Sequence, residues 1–107
     1  MITEEKAEAS VTYLRDSSRA AAQARAERAY VEAYRKTIKA QIMQEHGSAP
    51  LGAQEREAYA DPRYLEHLKA IKDAVEKDEY HRFMREAASA AFEAWRTQSS
   101  NERAARV

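Results

Sequence analysis

From Ile2 to His46 the chain contains neither glycine nor proline, and a second such run extends from Arg63 to Gln98. Strand-rich folds need frequent turn formers, yet glycine and proline occur only twice each in 107 residues. That scarcity excludes an all-β domain and a βαβ series. The two runs are filled with helix formers: 23 of the 107 residues are alanine. Alanine, glutamate, lysine, leucine and arginine together supply 59 residues, a level typical of long helices and coiled coils. The expectation is one all-α domain.

Local signals set the boundaries. Thr3 can cap free backbone N–H groups, and Glu4 and Glu5 suit the positive end of a helix dipole. A long helix is expected over about 3–46, ended by Gly47 in the left-handed conformation. At 1.5 Å per residue it would be about 65 Å long. A connector over 47–61 follows, with room for a short helix from Ala53 to Ala60. Asp61-Pro62 is a second strong start, an N-cap acceptor before proline at the first helical position. A second long helix is expected over about 62–98. Ser99, Ser100 and Asn101 should fray it, leaving a loose tail over 99–107.

Helical-wheel placement at about 100° per residue gathers Tyr13, Val31, Tyr34, Ile38 and Ile42 on one side of the first helix. Tyr64, Leu68, Ile71 and Val75 form a stripe on the second. Tyr80, Met84, Ala88, Ala91 and Trp95 form another stripe, rotated around the helix, with Phe83 and Phe92 beside it. A stripe that changes face suggests two partners, the first helix and another copy of the chain. Leucine, isoleucine, valine and phenylalanine total only 14 residues. Much of the inner surface of a hairpin would therefore be alanine, which buries little area. Against about 1–2 kcal/mol of backbone entropy per residue, a lone hairpin would be marginal. The fold expected is a helical hairpin of two long helices with a short connector helix, assembled into a homo-oligomer. Tyr80, Met84, Phe92 and Trp95 are the candidate interface residues for that oligomer or another partner.

Motifs for catalysis are missing. There is no cysteine, and therefore no disulfide, thiol nucleophile or zinc finger. His67 and His81 are fourteen residues apart on one helix, about 21 Å by helix rise, too far to share a metal. Glu66, Asp73, Glu76, Asp78 and Glu79 interleave with Lys69, Lys72 and Lys77, the pattern of a solvated, salt-bridged face. No His-Glu-x-x-His run, glycine-rich phosphate loop or Gly-x-Ser-x-Gly elbow occurs. A non-enzymatic protein without metal or cofactor is expected. The acidic N-terminus is unlike a signal peptide, and no run approaches the roughly 18 apolar residues of a membrane span. The expected setting is the cytoplasm, away from membranes.

Eighteen basic and eighteen acidic residues cancel. Their distribution does not: residues 15–44 hold seven cations and three anions, and 45–61 one cation and four anions. Arg25, Arg28, Arg35, Lys36 and Lys39 fall within one arc of about 100° beside the Tyr34 and Ile38 stripe. Basic side chains tracking a backbone, with tyrosines nearby to stack bases, suit single-stranded nucleic acid. The plainer alternative is that these cations keep an alanine-rich helix soluble and pair with the acids of the second helix.

Three stretches carry a family resemblance. They are Tyr34-Arg35-Lys36-Thr37-Ile38-Lys39-Ala40-Gln41-Ile42-Met43 before the glycine-containing loop, then Arg56-Glu57-Ala58-Tyr59-Ala60 with Tyr64, and finally Phe92-Glu93-Ala94-Trp95-Arg96-Thr97. The pattern, over roughly residues 10–103, resembles small helical proteins of tailed phages. Their genes commonly accompany single-strand annealing recombinases and single-strand binding proteins. The layout is also similar to UvsY-type recombination mediators, whose first long helix carries a basic strip that touches single-stranded DNA. The resemblance implies that role for Arg35, Lys36 and Lys39. It further implies a DNA-recombination accessory that assists a recombinase or single-strand binding protein in the host cytoplasm. The alternative is a helical protein–protein adaptor or inhibitor of a host protein, without DNA binding.

Overall fold

In the computed structural model, which describes residues 1–106, four α-helices follow in order. They are α1 (Glu4–Asp16), α2 (Ser18–Glu45), α3 (Leu51–Ala60) and α4 (Pro62–Ala105). The described residues contain no strand. Thr3 caps α1 as its sequence predicts, its hydroxyl accepting from the Lys6 N–H at 3.2 Å. At α4, Asp61 is extended, Pro62 takes the first helical position, and the Asp61 carboxylate accepts from the Arg63 N–H at 2.8 Å.

Four boundaries differ from expectation. The long helix expected over 3–46 is divided at Ser17. The Ser18 hydroxyl and the Arg85 guanidinium both donate to the Leu14 carbonyl at 2.7 Å. Arg85 also donates to the Ser17 hydroxyl at 2.7 Å. A carbonyl that accepts from two side chains is diverted from the helical ladder, one of the ways a helix breaks without proline. Gly47 is not left-handed, since no glycine has positive φ. Instead α2 ends by tightening, with His46 N–H donating to Met43 and Ala49 N–H to His46. The connector holds a ten-residue helix that begins at Leu51 rather than Ala53. Finally, the tail expected to be loose over 99–107 is helical through Ala105. Ser99 is half-buried there, and the Gln98 amide donates to the Ile2 carbonyl at 3.0 Å. That contact anchors the turn where fraying was expected.

The chain divides into two compact units. Unit 2, Ala24–Asp78, contains the cluster of Ile42, Ala58 and Tyr64, with Ile38 and Met43 packed against it. Among the described residues Ile42 is the one large side chain with under 2% of its surface exposed, so truncation to alanine would cost about 2–5 kcal/mol. Within this unit Tyr64, His67, Ile71, Ala74 and Asp78 of α4 are covered at spacings alternating between three and four, with Val75 half-buried beside them. On α2 the corresponding row is Ala24, Arg28, Val31, Tyr34, Ile38 and Ile42, with Lys39 and Met43 half-buried beside it. An average spacing near 3.5 is that of a coiled-coil seam. The seam differs from the stripe expected on α4: Leu68 is exposed, and His67 and Asp78 face inward. His67 Nε2 lies 2.6 Å from the Val31 carbonyl, and Arg28 donates to Asp78 at 3.2 Å. These contacts, with Arg63 to Glu45, pair α2 and α4 antiparallel within the unit.

Unit 1 comprises Met1–Gln23 and Glu79–Val107. Ala7 is buried, and Ser10, Leu14, Ser17 and Ala21 continue at the same alternating spacing. His81, Arg85, Ala88, Phe92, Trp95 and Ser99 are half-buried on α4. The Phe92 and Trp95 rings lie 6.0 Å apart.

Candidate nucleic-acid interface

The five basic residues of the α2 arc fall into two groups. Arg25, Arg35 and Lys36 are exposed. Arg28 is half-buried and binds Glu32 at 3.0 Å as well as Asp78 at 3.2 Å. Its charge is largely satisfied within the chain, as the solubility-and-pairing alternative anticipates. Lys39 is also half-buried, with its ammonium 3.8 Å from Glu55.

The structure adds a residue to this group. Lys39 donates to the Tyr59 hydroxyl at 2.8 Å, and its Nζ lies 4.6 Å from the centre of that ring. The hydrogen bond to Tyr59 raises the Lys39 pKa above the usual lysine value, so the ammonium stays charged at neutral pH. Tyr59 sits near the end of α3, where it packs edge-on against the buried Tyr64, centroids 5.3 Å apart. A buried ring therefore fixes one that keeps 48% of its surface in solvent. Lys39 follows Arg35 by four residues and Lys36 by three, so all three lie on adjoining turns of α2. The result is an exposed aromatic ring in contact with Lys39, with Arg35 and Lys36 on adjoining turns of α2 and Glu55 partly offsetting the charge. Sequence spacing alone could not assign Tyr59 to this group, because α3 and α2 meet only in the folded chain.

Tyr30 behaves differently. Its ring is exposed and stacks on Tyr34 at 5.8 Å. On the helical wheel it lies about 120–140° from Arg25 and Lys36. Basic and aromatic groups therefore meet at Tyr59 rather than at Tyr30.

A second cluster joins α2 to the start of α4. Arg63 donates to Glu45 and to Asp61, the latter at 3.0 Å. Hydrogen bonds from Arg63 hold both carboxyls below their ordinary pKa values and hold the guanidinium above its own.

Of the four candidate interface residues, Tyr80 and Met84 are exposed, while Phe92 and Trp95 are half-buried in the seam of unit 1. Phe83 is exposed beside Tyr80 and Met84, with the Arg82 guanidinium 4.7 Å from its ring centre. His81 Nδ1 is buried without a hydrogen-bond partner. Among the described residues, no group of three or more histidine, aspartate or glutamate side chains is arranged to hold a metal ion. Nor is any helix long and apolar enough to cross a membrane.

Set beside known proteins, the chain matches no family model, no curated protein and no solved structure.

Proposed function

We propose that the protein is a non-enzymatic DNA-recombination accessory that binds single-stranded DNA and assists a recombinase or single-strand binding protein. The observation that carries this reading is the exposed Tyr59 ring held beside Lys39, with Arg35 and Lys36 on adjoining turns. The cations suit phosphates, and the mounted ring offers a stacking surface for a base. The resemblance to mediator-type phage proteins supports the choice of partner, and the inferred setting is the cytoplasm of a phage host. The layout we infer is a helical hairpin closed by α3 and repeated in a homo-oligomer, so that modest contacts add by avidity.

Fluorescence anisotropy with a labelled single-stranded oligonucleotide tests the proposal. Binding should weaken steeply with salt, and Arg35→Ala with Lys36→Ala should flatten that dependence. Tyr59→Phe should retain binding, whereas Tyr59→Ala should lose about 1–3 kcal/mol. No binding at low salt by a folded chain rejects the reading. The exposed side chains of Tyr80, Phe83 and Met84 favour a second reading, a helical protein–protein adaptor without DNA binding.

A further inference from the structure

On α4, Tyr80, Phe83, Met84, Ala87, Ala91 and Ala94 fall within one arc of about 100°. The arc contains no charged residue over fifteen residues of helix, a rise of about 21 Å. It is turned well away from the seam residues His81, Arg85, Ala88 and Phe92, by about 120° from centre to centre. Tyr80, Phe83 and Met84 are 59%, 58% and 41% exposed. Ala87 and Ala94 are exposed and Ala91 is half-buried. The exposed face of α2 through Ala22, Ala26, Ala29, Tyr30, Ala33 and Ala40 is also uncharged, but Tyr30 is its one bulky apolar side chain, whereas the α4 face exposes three.

The exposed area of the whole chain leaves room for a partner interface, without locating it. A monomer of 12.2 kDa ordinarily leaves about 6,000 Å² in water. This chain exposes 8039 Å². The excess, about 2,000 Å², exceeds the roughly 800 Å² that each partner contributes to a standard interface.

The shape of the face selects the occupant. Its bulky side chains lie at one end (Tyr80, Phe83, Met84) and its alanines at the other (Ala87, Ala91, Ala94). Two copies placed antiparallel about a two-fold axis near Ala87 set the bulky end of each against the alanine end of the other. Tyr80 then faces Ala94 of the second copy, and Phe83 faces Ala91. Parallel placement would crowd tyrosine against tyrosine and leave alanine facing alanine across a gap. A two-fold interface requires a self-complementary surface, and this one is self-complementary only in the antiparallel sense.

We infer that the Tyr80–Ala94 face of α4 is a self-association surface, joining two copies antiparallel about Ala87. This specifies the homo-oligomer of the proposed function and is independent of DNA binding. Phe92 and Trp95, half-buried within their own chain, lie outside its central arc.

Sedimentation equilibrium and oxidative cross-linking test the inference. The wild-type chain should have twice the mass of 12.2 kDa at micromolar concentration. Tyr80→Lys should weaken the dimer at least tenfold with helicity by circular dichroism unchanged, because the side chain is exposed. Adding Ala94→Glu should restore it, since the antiparallel register sets the introduced cation of each copy against the introduced carboxylate of the other. The chain has no native cysteine, so Ala87→Cys treated with diamide should give a covalent dimer. Ala94→Cys should not, because its two copies would lie about 21 Å apart. A monomeric wild type, a dimer indifferent to Tyr80→Lys, or equal cross-linking at both positions would overturn the inference. DNA binding by a monomer would overturn it, and the avidity with it, while leaving the DNA-binding role standing. A dimer that ignores DNA would do the reverse.

Discussion

Arg28 on α2 donates to Asp78 on α4 at 3.2 Å, fifty residues apart in sequence and at inward-facing positions of both helices. The pair stands where a simple coiled coil would place leucine, and it pins the antiparallel register of unit 2. Removing Arg28 strands Asp78 in a half-buried site, whereas removing Asp78 leaves Arg28 its bond to Glu32. Arg28→Ala and Asp78→Ala should each destabilise by about 1–2 kcal/mol in urea titration. The double variant should cost less than their sum, and strictly additive losses would rule out a coupled pair.

Arg85 should govern the break at Ser17. Its guanidinium supplies two 2.7 Å hydrogen bonds, to the Leu14 carbonyl and the Ser17 hydroxyl. Arg85→Ala should cost about 1–3 kcal/mol. With the guanidinium gone, only Ser18 competes for the carbonyl. Amide exchange at residues 17–19 should then slow relative to that of flanking residues, as the helical ladder closes. Unchanged relative exchange would show that the serines alone make the break.

The two glycines should respond differently to alanine. At Gly52, inside the first turn of α3, an added Cβ meets nothing within 4 Å. Gly52→Ala should stabilise by about 0.5 kcal/mol, chiefly by restricting the unfolded chain. Thermal unfolding should rise by about 2–4 °C. At Gly47 the added carbon would sit 3.3 Å from the Gln44 carbonyl, a contact with backbone that cannot swing aside. Gly47→Ala should give no gain.

The Glu45–Arg63–Asp61 cluster predicts an acid-sensitive contribution to stability. Both carboxyls have folded-state pKa values below their ordinary ones, 4.5 for Glu45 and 3.8 for Asp61. Their stabilisation is therefore full above those values and is lost as the pH falls through the lowered folded ones. Arg63 remains charged throughout, because its own pKa is raised. Arg63→Met should be destabilising at pH 7, with the difference from wild type shrinking as both carboxyls protonate. Exposure to water keeps the effect small, and added salt should reduce it. Urea titrations at pH 7 and pH 3 check this.

Helix content and the start signals were legible from sequence because they are local. Alanine-rich runs without glycine or proline propagate helix wherever they lie, and Thr3 and Asp61 cap within three residues of themselves. Tertiary contact decided what became of each helical surface. Whether Arg28 faces solvent or Asp78, and whether Lys39 stands alone or holds Tyr59, depends on residues twenty to fifty positions away. Ser17 interrupts the long helix where Arg85 reaches it, and Gln98 orders a tail whose own residues predict fraying. Backbone propensity sums over neighbours in sequence. The partner of a long charged side chain is set by which helix face lies within a few ångströms, and only the packed chain fixes that distance.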